Sequence, residues 1–233
     1  DAPAPPVPGG ALADGTSIAI NFGSDEPAGA GSDVTGAAGI LGTSNWNNLP
    51  LLNGDGAALI ADVGGSSADT TVTVSWTSNN TWASTGRSEE NNTGSGDNKN
   101  LLTGYLDTNG DDPNSVTVSG LPADAVYDVI VYTKGGVIGR GGDYTIGDLT
   151  LTHNDAAAFD GNFVFGPAGD YLIFPKVSGA SFVLSGQPTT GSPPRAPINA
   201  IEILIGGGAP VLIPTPPIPG GGAGEITGIS RAG

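Results

Sequence analysis

Oxygen-bearing side chains that could bind a metal are concentrated in the segment DTNGDD, at positions 107–112. Calcium prefers carboxylate, amide and backbone carbonyl oxygens, and the glycine in this segment permits the sharp turn of a calcium loop. The sequence lacks the distal Glu and the flanking helices of an EF-hand, and its Asn-Gly pair is equally a turn signal for a plain solvated hairpin. Both interpretations stay open. The predicted calcium ligands are Asp107, Asn109, Asp111 and Asp112.

The three tryptophans are the side chains on which a sugar ring could stack, because an aromatic face offers apolar contact to pyranose C–H groups. Trp82 lies in a polar segment near Arg87, so these two residues predict an exposed platform for a glycan. Trp46, within SNWNNLP, is the second candidate for that platform. A role in the core or in pinning a loop is the alternative for both. Trp76 ends an alternating run and is expected in the core.

The sequence lacks the usual parts of nucleophilic and metal-dependent catalysis. The only histidine, His153, has no nucleophile elbow beside it and is predicted to be a structural or surface residue. Acidic residues are numerous enough to suggest a glycoside hydrolase, but no spacing pairs two of them as acid and base or nucleophile. We therefore expect a protein that is not an enzyme.

The composition disfavours some classes of partner and indicates where the protein is located. The formal net charge is −16, from 23 acidic and 7 basic residues, which disfavours nucleic acid and makes calcium the first cofactor to consider. No apolar run approaches the roughly 18 residues that a membrane-spanning helix needs, so no membrane insertion is expected. The absence of cysteine excludes disulfides, and the segment DAPAPP resembles the start of a mature secreted protein or a cloning boundary. We expect a secreted or cell-surface location.

Short alternating apolar runs separated by Gly, Pro, Asn and Asp predict an all-β protein with about eleven strands and no helix. Their spacing favours an antiparallel β-sandwich of the jelly-roll type over any arrangement with crossover helices. The closing run INAIEI predicts that Ile198, Ile201 and Ile203 are buried on one face. Strands are predicted at residues 16–22, 58–63, 70–76, 101–106, 115–121, 126–133, 143–152, 162–165, 170–177, 181–184 and 199–205.

Proline-rich segments lie on both sides of the predicted sandwich, which should occupy residues 16–206. Residues 1–15 are predicted to form an extended leader, and residues 207–233 a linker with a terminal strand. Because proline lacks a backbone donor, we expect these tails to be ordered by packing on copies of the chain or on other surface proteins. Folding back on the chain's own sandwich is the alternative. The predicted apolar anchors are Val7, Leu12, Val211, Leu212, Ile213 and Ile218.

Five stretches, taken in order, resemble a bacterial extracellular module of large secreted proteins. They are IAINFG (18–23), WNNL (46–49), LLTGYLD (101–107), VTVSGLPADAVYDVIVYT (116–133) and RAPINAIEI (195–203). Together they are similar to malectin-like and galactose-binding-like jelly rolls. The resemblance implies a β-sandwich with glycan-binding relatives, often non-catalytic and often one part of a longer polypeptide. No sugar-contacting residue of malectin can be matched to a position of this sequence.

Two functions follow from these observations. The first is a structural or adhesive subunit of an extracellular assembly, such as a filament, sheath or surface layer. The second is a carbohydrate-binding module of a larger secreted enzyme or adhesin.

Overall fold

The computed structural model describes residues 12–25, 32–84, 92–108 and 112–206, and this part of the chain contains thirteen strands and one short helix. The predicted all-β class is confirmed. The strands are β1 (Ser17–Asn21), β2 (Trp46–Asn48), β3 (Asn53–Val63), β4 (Ser66–Thr77), β5 (Asn80–Ala83), β6 (Gly104–Asp107), β7 (Asn114–Ser119), β8 (Val126–Tyr132), β9 (Gly141–Ile146), β10 (Leu149–Asn154), β11 (Tyr171–Ser178), β12 (Ser181–Thr190) and β13 (Ala200–Ile205), and the helix is α1 (Gly96–Leu101).

Eleven of the strands form one large sheet. Its order is β10-β9-β12-β7-β4-β3-β1-β13-β8-β11, with β2 beside β1, and only the β1–β2 pair is parallel. The two edge strands, β10 and β11, approach each other. The sheet therefore nearly closes into a barrel-like shape, which is consistent with the predicted β-sandwich. Strands β5 and β6 form a separate two-stranded sheet.

The main core lies inside this closed sheet and follows the alternation of the sequence. On β4, Val72, Val74 and Trp76 are buried while the residues between them face outward. On β13, Ile201 and Ile203 enter the same core, and Ile198 joins it just before the strand begins, as predicted. The interior is thus formed by every second residue of the strands.

A second apolar cluster covers the outer face of β1, β13 and β8. Ile130 and Tyr132 of β8 belong to it, so this strand is buried on both faces. The cover consists of the segment around Val34 and Ala38, helix α1 through Leu101, and the segment around Phe159. The buried stretch of β8 accordingly reads as an uninterrupted apolar run from Val129 to Tyr132, unlike the alternation of a half-exposed strand.

The structure differs from the predicted strands in four places. The predicted strand at residues 143–152 is the hairpin β9–β10, which turns at Gly147 with a φ of 57°. Residues 162–165 form no strand and contribute only an isolated bridge from Phe165 to Tyr171. The start of the predicted strand 101–106 is the end of helix α1, and β6 begins at Gly104. Strands β2 and β5 were not predicted, because the short sequences WNN and NTWA show no apolar alternation.

The two ends of the domain differ in what they carry. At one end, called here the tail end, Gly15 donates its N–H to the carbonyl of Ile205 at 2.9 Å, so residues 12–16 and 205–206 lie side by side. The opposite end, called the loop end, is formed by residues 133–140, 155–170 and 191–199. Both proline-rich segments of the sequence therefore connect to the domain at the tail end.

Candidate functional site

The WNNL segment is a structural element. Trp46 is 7% exposed and donates its indole N–H to the carbonyl of Thr43 at 2.7 Å. The side-chain amide of Asn47 donates to the carbonyls of Ala19 and Ile60 and accepts the N–H of Ile60, each at 2.9 Å. This amide substitutes for a backbone peptide between β1 and β3. The ring is enclosed, which agrees with the alternative of loop pinning, and the sugar platform at Trp46 stays a prediction that this burial does not favour.

Trp82 is the candidate platform that is only half-buried. It lies on β5 directly opposite Tyr105 of β6, while its neighbours Thr81 and Ala83 point into the protein. The Tyr105 hydroxyl accepts the N–H of Gly136 at 3.1 Å, which attaches this small sheet to the loop end. Its predicted partner Arg87 lies outside the described residues. Trp76, by contrast, is buried as predicted and donates to the carbonyl of Leu51 at 2.8 Å.

The predicted calcium ligands lie partly within the described chain. Asp107 is 7% exposed, and the Arg195 guanidinium Nε lies 3.3 Å from its Oδ1. Asp112 accepts a 3.2 Å hydrogen bond from the side chain of Asn79. The other two predicted ligands, Asn109 and Asp111, lie outside the described residues. Within the described ranges no three His, Asp or Glu side chains gather as a metal site, and the calcium site stays a prediction.

His153 is fully buried and has a structural role. Its Nε2 lies 2.9 Å from the carbonyl oxygen of Gly169, so this nitrogen carries the hydrogen in the contact. Burial, assisted by the nearby Lys134, lowers the pKa of His153, which holds the imidazole neutral. The residue fixes the segment before β11 against β10.

Glu202 is a buried acid beneath a strap, defined as residues 38–43. It is fully enclosed and accepts the Tyr132 hydroxyl at 2.6 Å and the Thr43 hydroxyl at 2.7 Å. Ile40 in the strap donates its N–H to the same Tyr132 oxygen at 2.7 Å. Burial raises the pKa of Glu202 to about 7, although these donors oppose the effect. The alternation of INAIEI predicts that Glu202 faces away from the main core, but it does not show that the strap covers that face.

The loop end contains a second buried charged group, formed by Lys134, Asp155 and Asp170. The Lys134 Nζ lies 2.8 Å from Asp155 Oδ1 and 2.9 Å from Asp170 Oδ1, and it also donates to the carbonyl of Ala157. The three side chains are 2%, 0% and 4% exposed, so water does not screen the interaction. No sequence signal indicated this group, because its members are 15 to 36 positions apart.

A polar cleft of about 340 Å³ opens at the tail end, beside the strap. The carboxylate of Asp62 lies at its wall and accepts backbone N–H groups of Ser44, Asn45 and Gly65 at 2.7 to 3.0 Å. Burial raises the pKa of Asp62, but these donors outweigh that effect and the net pKa is lowered. Asp62 thus holds two loops together. The cleft is lined by Gly15, Ser17, Leu41, Gly42, Thr43, Ser44, Asp62, Gly64, Gly65 and Leu204.

Apolar side chains at both ends of the domain are candidates for contacts with partners. At the loop end Val137, Ile138 and Val164 are 38%, 43% and 56% exposed. At the tail end Leu12 packs, partly buried, against the main core of its own chain. The remaining predicted tail anchors, Val7, Val211, Leu212, Ile213 and Ile218, lie outside the described residues, and assembly through the tails stays a prediction.

Comparisons with protein-family models, with curated proteins and with solved structures gave no match for this chain. The all-β, largely antiparallel fold agrees with the jelly-roll resemblance, while malectin-like or galactose-binding-like identity stays a prediction. Among the described residues, the one helix is too short and too polar to cross a membrane.

Proposed function

We propose that this chain is a non-catalytic structural or adhesive module of an extracellular assembly. In this proposal the proline-rich segments connect it to copies of itself or to other surface proteins, and the loop end makes the adhesive contact. The observation that supports it is the separation of the two ends. The chain enters at residues 12–16 and leaves at 205–206 at the tail end, whereas Val137, Ile138 and Val164 project from loops at the other end.

The interior polar groups agree with a structural role. Glu202, the group around Lys134, and Asp62 each make their hydrogen bonds or ion pairs within the fold. Each one fixes a loop or a strand end to the large sheet. Such groups make a loop-rich surface rigid, and a rigid surface loses little conformational entropy when it binds a partner.

The test of the loop end compares two triple variants of the full chain. The first changes Val137, Ile138 and Val164 to Ser, and the control changes Val63, Leu149 and Val183 to Ser. The control residues are 48%, 42% and 50% exposed and lie outside the loop end, so both variants remove similar apolar surface. We expect the first variant alone to reduce binding to cells or to the native assembly. Equal loss in both variants would refute a specific role of the loop end.

The tails are tested by deleting residues 1–10 and measuring self-association by light scattering and electron microscopy. We expect smaller or fewer multimers, because an extended segment can add to a neighbour's sheet edge or pack in its grooves. Multimers identical to those of the full chain would show that the amino-terminal tail is not an assembly element.

A carbohydrate-binding module is the second candidate, and the half-buried position of Trp82 favours it. The ring lies opposite Tyr105 at the loop end, while Trp46 and Trp76 are both enclosed. Malectin-like resemblance adds support, since relatives of that type bind glycans. A glycan array with the full chain, Trp82→Ala and the control Val183→Ala tests this function. Selective glycan binding that is lost in Trp82→Ala and kept in Val183→Ala would support the carbohydrate-binding function. An array without any signal would refute it.

A further inference from the structure

The buried group of Lys134, Asp155 and Asp170 has the composition of a self-crosslinking site. One amine lies in direct contact with two carboxyl groups, and all three side chains are enclosed. We propose that Lys134 forms an intramolecular isopeptide bond with Asp155, and that Asp170 transfers the protons. The proposal concerns a covalent modification and does not depend on the function proposed above.

Proximity is the first requirement of such a reaction, and the fold supplies it. Nζ of Lys134 lies 2.8 Å from Oδ1 of Asp155, and a third contact, to the carbonyl of Ala157, fixes the amine. Reacting groups held in this way behave as if present at very high concentration, which removes most of the entropic barrier of a bimolecular condensation. Exclusion of water also favours condensation over the reverse hydrolysis.

Both carboxyl groups direct one oxygen to the amine, and the nearer one, Asp155 at 2.8 Å, is assigned as the acceptor of the amide bond. Asp170 Oδ2 accepts the backbone N–H of Val164 at 2.8 Å, while its Oδ1 faces the amine at 2.9 Å. The backbone contact fixes this carboxylate so that its Oδ1 can accept a proton from the ammonium. Asp155 directs Oδ1 to the same amine and is the group that is attacked.

The reaction balances without a cofactor. Asp170 accepts a proton from the Lys134 ammonium, and the neutral Nζ attacks Cγ of Asp155 to form a C–N bond. One C–O bond of Asp155 then breaks. Asp170 passes two of the ammonium protons in turn to the departing oxygen, which leaves as water. One ammonium and one carboxylate are thereby converted into an amide and a water molecule, and Asp170 returns to its starting state.

The crosslink would lie where the ends of the large sheet approach each other, so it would strengthen the closure of the sheet. Asp155 directly follows the edge strand β10, and Lys134 lies two residues beyond β8, which pairs with the other edge strand, β11. A bond between residues separated by 21 positions would therefore join the end of edge strand β10 to the end of β8, the strand beside the opposite edge. It would hold the barrel-like sheet closed at the loop end.

Intact-mass spectrometry of the full folded chain tests the proposal. We expect a mass one water molecule below the sequence mass, and a protease digest that contains a branched peptide joining Lys134 to Asp155. Lys134→Arg keeps the positive charge but cannot form this amide, so it should have the full mass. Asp170→Asn should form the bond much more slowly.

Two results would overturn the proposal. A wild-type mass equal to the sequence mass after prolonged incubation of the folded protein would exclude the bond. A missing water that persists in Lys134→Arg would locate the loss elsewhere, for example in cyclisation at an Asp-Gly pair such as Asp160-Gly161. If Lys134→Arg does not fold, fragmentation of the wild-type branched peptide is sufficient to identify the two joined residues. A junction between Lys134 and Asp170 would refute Asp155 as the acceptor.

Discussion

Replacing Glu202 with Gln should stabilise the protein at high pH and have much less effect at low pH. The wild-type carboxyl is fully buried against Tyr132 and Thr43, and its pKa is raised from 4.5 to about 7. In the variant, the amide oxygen can accept the Tyr132 hydroxyl, and the amide nitrogen can donate to the Thr43 oxygen. The introduced amide therefore resembles the protonated carboxyl, and the comparison isolates the effect of ionisation.

The sign follows from the raised pKa. A folded-state pKa above the unfolded value means that folding favours the protonated acid, so this contribution is complete below about pH 4.5 and is lost as the pH rises through about 7. The difference between 4.5 and about 7 corresponds to about 3 kcal/mol, since one pKa unit is worth about 1.4 kcal/mol. As the pH rises through this window, the free energy of unfolding of the variant should therefore increase by about 3 kcal/mol relative to that of the wild type.

Urea denaturation of both proteins at about pH 4 and about pH 8.5 measures this double difference. Asp148→Asn, which neutralises an exposed acid at the β9–β10 turn, controls for the loss of one charge from an acidic protein. We expect no comparable pH dependence in that control. A constant difference between wild type and Glu202→Gln at the two pH values would refute the reasoning, because it would mean that Glu202 ionises as it does in water and that the strap does not exclude solvent.

Two further predictions concern the calcium loop and the WNNL segment. Adding a calcium chelator should lower the melting midpoint if oxygens around Asp107 and Asp112 hold the ion. An unchanged midpoint would refute the prediction that this loop binds calcium. Asn47→Leu should cost about 3 kcal/mol in denaturant unfolding, because three hydrogen bonds between β1 and β3 are lost and backbone groups are left unpaired. Asn162→Leu, at an exposed loop position, is the control, and a similar loss in both variants would contradict the structural role of Asn47.

The sequence predicted the strands with the strongest patterns and missed the elements without one. The alternation of Val72, Val74 and Trp76 indicated both the existence of β4 and its buried face, because side chains in a strand point to opposite sides. Helix α1, with the polar sequence GDNKNL, has no apolar periodicity, and only Leu101 packs into the protein. Tertiary contacts determine its conformation, and local sequence does not reveal them.

Candidate sites were predictable to a similar extent. The sequence could identify the tryptophans but could not separate Trp46 from Trp82, because exposure depends on what distant segments cover. The same limit applies to Glu202, whose face follows from alternation but whose burial requires the strap, more than 150 positions away in the chain.

The sequence by itself determined the all-β class, the positions of the strongly alternating strands and the acidic character of the surface, since each of these depends on composition or on short-range periodicity. Only the tertiary structure decided that Lys134 meets two aspartates and that the edges of the sheet approach each other. Such contacts join residues far apart in the chain, and whether a polar side chain is solvated or enclosed there depends on the packing of the whole domain.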